Sequence, residues 1–189
     1  MSYFSGQVKR LTKIDLNDIV LLRDRVSEQP DLWEKWDALK PNRFGVFNGN
    51  TQHIVFKYPV DLDDHRLSMT FPIWQEWKSI LQPLIDQAVA PYDYKNGAVA
   101  RIMLARLHPG CAIGMHIDCA QSAELPHKIH IPLKTSEDVV MTFADGESHH
   151  LAMGGAFEVN NRIKHGVHNP TRHDRIHLIF DYFDQSTEP

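Results

Sequence analysis

The sequence predicts a mainly β fold with N-terminal helices: a double-stranded β-helix, the jelly-roll or cupin-like barrel, with helices packed on one of its sheets. Three observations lead there. From about residue 98, eight short segments rich in β-formers alternate with turn signals, at 98–107, 111–118, 127–134, 138–144, 147–152, 155–161, 164–169 and 175–183. Two of these alternate strictly: Ile129, Ile131 and Leu133 share one face while Lys128 and His130 share the other, and Ile176, Leu178, Phe180 and Tyr182 stand opposite Arg175, His177 and Asp181. The chain before residue 98 instead repeats apolar residues at helical spacing.

In chain order, residues 3–13 read as an extended opening segment. Asp15 is an N-cap candidate, with Asp18 three residues on, ahead of a helix carrying Leu16, Ile19, Val20 and Leu22 that stops before Pro30. Pro30 opens a second helix with Leu32, Trp33, Trp36 and Leu39, ended by Pro41. Residues 42–52 hold Asn42, Gly45, Asn48, Gly49 and Asn50 and read as a loop, with Phe44 and Phe47 as possible parts of a lid. Ile54-Val55-Phe56 reads as a short strand, and the proline- and acid-containing stretch 59–66 as an exposed segment. Ile73, Trp77, Ile80, Leu81, Leu84, Ile85 and Val89 form one face of a helix in which Pro83 predicts a kink or a break. Further on, Asp145-Gly146 is a hairpin signal, and Gly154-Gly155 marks another turn. No linker-like tract divides the 189 residues. The reading is one domain, 1–189, with 1–97 a mostly helical support region and 98–183 the jelly-roll core.

A formal charge of −4 argues against nucleic acid or an anionic membrane as partner. No apolar run approaches the roughly 18 residues that span a bilayer, and residues 1–10 lack the apolar core of a signal peptide. With only two cysteines, Cys111 and Cys119, the expected location is the cytoplasm, with reduced thiols.

The chemistry begins at His108-Pro-Gly-Cys-Ala-Ile-Gly-Met-His116-Ile-Asp118. On a strand, His116 and Asp118 project from the same face, which supplies two thirds of the 2-His-1-carboxylate triad that holds non-haem Fe(II) with open positions. His-x-Asp alone is weak evidence. The third ligand is expected from a distant strand, where His165 and His168 are candidates. Ten residues after His165, Arg175 opens the last strand. That spacing fits two antiparallel neighbours joined by the loop 169–172. A guanidinium near iron can grip a carboxylate through its planar fork, which is what a 2-oxoglutarate site requires.

These pieces, with Lys128-Ile-His-Ile-Pro-Leu133, Gly155-Ala-Phe-Glu-Val-Asn-Asn161, His165-Gly-Val-His-Asn169 and Asp174-Arg-Ile-His-Leu-Ile-Phe-Asp181, resemble the aspartyl/asparaginyl β-hydroxylase family of Fe(II)/2-oxoglutarate-dependent oxygenases, and are similar also to bacterial free-proline hydroxylases. The resemblance covers most of residues 100–183. It implies His116, Asp118 and His165 as metal ligands, with His168 outside the triad. It also implies Arg175 on the distal carboxylate of 2-oxoglutarate, and Lys128 and His130 on the co-substrate's carboxylates. The family's usual arginine is Lys128 here, a point charge in place of a fork. Some members use two histidines alone; Asp118 sets this chain apart from them. The implied reaction uses O2 and decarboxylates 2-oxoglutarate to succinate and CO2 while hydroxylating an amino acid, free (such as proline) or an Asp or Asn residue in a peptide, with ascorbate supportive. Arg101, Arg106, Arg162 and Arg172 are candidates for the substrate's carboxylate, and Glu158 and Asp181 for its ammonium. The alternative is a non-catalytic cupin-like module that binds metal or ligand. A third reading, a cupin enzyme that does not use 2-oxoglutarate, leaves Arg175 without a purpose.

Overall fold

A computed structural model describes residues 4–41, 44–47, 49–118 and 120–186. Asn42, Asn48 and Cys119, singled out above, lie outside the described residues. Among the described residues, eleven strands form two antiparallel sheets: β1 (Val8–Lys13), β2 (Thr51–Asp61), β3 (Asp64–Thr70), β4 (Gly97–Leu107), β5 (Ala112–His116), β6 (His127–Lys134), β7 (Val140–Phe143), β8 (Ser148–His149), β9 (Gly155–Val159), β10 (His165–His168) and β11 (Arg175–Asp184). The larger sheet has the order β1-β9-β6-β11-β4-β2-β3, the smaller β5-β10-β7-β8. This is the expected jelly roll; seven strands of the second half form within two residues of their predicted bounds, and the eighth, expected over 147–152, is only the two-residue β8.

Helices α1 (Leu16–Ser27), α2 (Asp31–Ala38) and α3 (Ile73–Val89) cover the outer face of the larger sheet. Asp15 caps α1, its carboxylate accepting from the Asn17 amide at 2.8 Å. Ile19, Leu22 and Val26 point inward from α1, whereas Leu16 and Val20, expected on that face, are exposed. From α3, Ile73, Trp77, Leu81, Leu84, Ile85 and Ala88 are buried. They meet Ile129, Ile131, Leu178 and Phe180 in one core cluster, so the apolar parity of β6 and β11 is directed at the helices. α3 runs unbroken through Pro83. The proline lies on the exposed side, where the carbonyl deprived of its donor can turn to solvent.

The first half contributes more β structure than expected. Ile54–Phe56 lies within the eleven-residue β2, which turns at 62–63 into β3. The stretch 59–66 is therefore the tip of a hairpin. Pro59 is tolerated because β2 pairs with β4 only as far as Lys57; beyond that its one partner is edge strand β3. A second cluster, including Leu107, Met141, Phe143, Phe157 and Val167, packs the inner faces of the two sheets together. Among the described residues, no helix is long and apolar enough to cross a membrane.

Candidate metal centre and its cavity

The inner faces of the two sheets diverge over a cavity of about 490 Å³, within the range that takes a small-molecule ligand. His116 is the last residue of β5 and pairs with His165 across the β5–β10 ladder. Asp118 lies two residues beyond, past the end of the strand, with its amide donating to the Asn161 carbonyl at 3.2 Å. His116, Asp118 and His165 each offer one ligand atom, and the three atoms lie within 4.8 Å of one another. The imidazoles sit 4.6 Å apart, and His116 Nε2 is 3.5 Å from Asp118 Oδ1.

The tautomers suit a cation. Nδ1 of His116 donates to the Gly114 carbonyl at 2.9 Å, and Nδ1 of His165 to the Ile163 carbonyl at 2.8 Å. Both Nε2 lone pairs are left for a metal, the outer-sphere arrangement typical of ligating histidines. Burial holds the His165 pKa below the ordinary value, so this imidazole is neutral. Burial acts in the same direction on His116, but the Asp118 carboxylate and the Gly114 carbonyl outweigh it and raise its pKa. A proton is favoured where a metal cation would otherwise sit. Burial also favours protonation of Asp118, yet Lys128 and the two histidines hold it well below the usual carboxylate range. Once a cation displaces the His116 proton, two neutral nitrogens and one ionised oxygen on a shared corner fit Fe(II).

The ladder itself is bulged here. Between the His116–His165 and Ile113–Val167 pairs, β5 sets Gly114 and Met115 against the single residue Gly166. A Cβ on Gly166 would lie 2.9 Å from the Ile113 carbonyl oxygen and 3.1 Å from Met115 Sδ. Gly166→Ala is expected to cost about 1–3 kcal/mol in stability and to weaken metal binding, because β5 must move and takes His116 with it. Thermal melts and a metal titration check this, and wild-type values in both would contradict it.

Arg175, at the start of β11, is 4% exposed and lines the same cavity. Its Nε has no hydrogen-bond partner, and no carboxylate pairs with its guanidinium among the described residues. Burial pushes its pKa down to about 9. An unpaired buried cation is costly unless something arrives to pair with it. His130 also lines the cavity, and its buried Nδ1 is unpartnered. Burial first, then Arg175 and Lys128, keep its pKa well below the ordinary value. The third residue expected at the co-substrate, Lys128, is engaged: its Nζ lies 3.3 Å from Asp118 and 2.9 Å from Asp181.

His165 and Arg175 do not sit on paired neighbours as their spacing suggested. β10 belongs to the smaller sheet and β11 to the larger, so the loop between them crosses the barrel and the two side chains face the cavity from opposite walls. His168 is exposed. His177 is buried but borders a separate void of about 10 Å³ in place of the main cavity. Of the residues considered for substrate, Arg101 and Arg106 line the cavity. Arg101 pairs with Asp181 at 3.1 Å, Glu158 with His127 at 2.6 Å and Arg162 with Glu124 at 3.2 Å. Phe44, Val46 and Phe47 of the segment after α2, with Tyr58 and Leu62 of the hairpin, complete an apolar wall. Phe47 packs edge-on to His116 at 5.4 Å. The hairpin's share of this wall carried no sequence signal, since an apolar residue facing a cavity reads like any core residue.

Comparison with known proteins agrees with this architecture. The model of a family described as aspartyl/asparaginyl β-hydroxylase matches residues 82–185. No curated protein matches the chain. Among solved structures, an oxidoreductase of the 2OG-Fe(II) oxygenase family from Burkholderia pseudomallei is similar, with 14% identity, 92% of each chain covered and a TM-score of 0.55. A prolyl-4-hydroxylase from Pseudomonas putida covers 96% of this chain and 95% of its own, at 13% identity and a TM-score of 0.52. AviO1 from Streptomyces viridochromogenes Tue57 covers 97% of this chain and 92% of its own, at 14% identity and a TM-score of 0.58. At such identities these structures establish the shared fold, while the family model spans more than half of the sequence. The chain belongs to the aspartyl/asparaginyl β-hydroxylase family and is a 2-oxoglutarate-dependent dioxygenase.

Proposed function

We propose that the enzyme hydroxylates an amino acid, either free, such as proline, or an Asp or Asn residue in a peptide. In this reading His116, Asp118 and His165 hold Fe(II), and Arg175 grips the distal carboxylate of 2-oxoglutarate. The observation that carries it is the unpaired, buried guanidinium of Arg175 in the same cavity as a His-Asp-His cluster. Bound iron with 2-oxoglutarate and O2 supplies the oxidising power for C–H hydroxylation, with succinate and CO2 as co-products.

The chain's own residues do the rest. Arg175 fixes one end of the co-substrate, so its 2-oxo acid end is presented to the metal in one orientation. His130, neutral and buried beside it, offers a ring nitrogen to a carboxylate oxygen. Phe47, Tyr58, Leu62 and Ile117 shield the cavity from bulk water and confine the substrate next to the metal. The test is a succinate-release screen over free amino acids and then peptides, with Fe(II), 2-oxoglutarate and ascorbate. Substrate-stimulated succinate with one amino acid or peptide, lost when iron is omitted, is the expected result. Absence of stimulation across both panels would contradict the amino-acid reading.

A further inference from the structure

We propose that Lys128 is a positioning residue for the carboxylate of Asp118, and that Asp181 is the anchor holding it there. The proposal rests on the assignment of Asp118 to the metal. Lys128, Asp181 and Arg101 are register partners side by side on β6, β11 and β4. Lys128 Nζ lies 3.3 Å from Asp118 Oδ2 and 2.9 Å from Asp181 Oδ1, and Asp181 Oδ2 lies 3.1 Å from Arg101 Nη1. The Arg101 guanidinium in turn lies 4.8 Å over the Tyr58 ring. Side-chain exposure is 6% for Lys128, 0% for Asp181 and 8% for Arg101. Four charges therefore alternate in sign from Arg101 to Asp118 and sum to zero.

This arrangement divides the cavity's cations by task. Lys128 already has two carboxylates, so an incoming co-substrate would compete with both of them. Arg175 has no ion pair among the described residues and is open to a ligand. A lysine suits the bridging place, because a compact ammonium with three donors can serve two acids at different angles. The consequence falls on Asp118. Its Oδ2 is occupied by Lys128 and by Asn161 Nδ2 at 3.4 Å, while Oδ1 faces His116 Nε2. The carboxylate is thus turned so that one oxygen, Oδ1, is presented toward the ligand corner.

The test is binding of Mn(II), followed by the signal of the free ion in electron paramagnetic resonance, and binding of 2-oxoglutarate to the Mn(II)-saturated protein by calorimetry. Lys128→Gln leaves Asp181 paired with Arg101. It is expected to weaken Mn(II) by roughly 10- to 100-fold, as loss of an outer-sphere partner does, with 2-oxoglutarate affinity at full metal occupancy unchanged. Asp181→Asn should show the same split, and the double variant should be no weaker than either single one. If Asp181→Asn alone fails to fold, the pair Arg101→Gln with Asp181→Asn, which removes a cation alongside the anion, carries the measurement. Weaker 2-oxoglutarate binding by metal-saturated Lys128→Gln, or unchanged Mn(II) affinity, overturns the proposal, and additive losses overturn the anchoring role of Asp181. Failure of the wild-type protein to bind Mn(II) would instead overturn the metal assignment on which this rests.

Discussion

Replacing His165 with alanine is expected to abolish succinate formation, and Asp118→Ala to do the same, while His168→Ala keeps most of the wild-type rate. The three positions separate cleanly in physical terms. His165 lies across the ladder from His116, is buried, and has its Nδ1 committed to the Ile163 carbonyl, so its free nitrogen points to the shared corner. Asp118 contributes the only carboxylate in that corner's ligand set. His168, three residues on at the far end of β10, is exposed. Because a ligand is lost while the barrel's packing stays, both inactive variants should melt close to wild type without metal and lose the stabilisation that added metal gives the native protein. Steady-state succinate assays and melts with and without Fe(II) measure both. Full activity in His165→Ala with loss in His168→Ala would show that the other histidine is the ligand.

The second large effect has opposite signs for function and stability. Arg175→Met should raise the 2-oxoglutarate KM by two orders of magnitude or more, as expected when a planar charged clamp is replaced by a thioether (about 1.4 kcal/mol per factor of ten). In the absence of ligands the same variant should be more stable than wild type. Relief of one unsatisfied buried donor is worth about 1–3 kcal/mol, or roughly 2–4 °C of melting temperature per kcal/mol at this chain length. The pH dependence follows from the direction of the shift. The folded state holds the Arg175 pKa at about 9, below its ordinary value, so above pH 9 the unfolded chain binds more protons. The penalty is complete below pH 9 and is relieved as pH rises above it. Arg175→Met should therefore show its full stability gain at neutral pH. A variant that is less stable than wild type without ligands, yet binds 2-oxoglutarate normally, would contradict the assignment.

Much of the catalytic half was legible because period-two patterning is a local property. Ile129, Ile131 and Leu133 against Lys128 and His130 needed no partner strand to be read, and the same holds for β11. His116, Asp118 and Arg175 were singled out by residue type and spacing, and His165 was preferred over His168 only through the family resemblance; the barrel brings all four to one cavity. Relations set by register or sheet membership were not legible. Ten residues separate His165 from Arg175 whether their strands pair or stand in opposite sheets, so the spacing could not choose. The ion pairs of Lys128 depend on its standing beside Asp181 across β6 and β11, which a one-residue slip would undo. The β2–β3 hairpin was missed because Pro59 and the acids at 61, 63 and 64 mark a turn as readily as an exposed loop, and only pairing to β4 decides between them.

The central claim is that one cavity holds a metal on His116, Asp118 and His165 with 2-oxoglutarate beside it on Arg175. The most direct measurement is an anaerobic titration of the purified protein with Fe(II) and then 2-oxoglutarate, followed by visible absorption. A weak charge-transfer band that grows to saturation with 2-oxoglutarate, is absent in His165→Ala, and needs far more co-substrate in Arg175→Met is the predicted result. No band with the wild-type protein, together with no binding of 2-oxoglutarate by calorimetry, would contradict it.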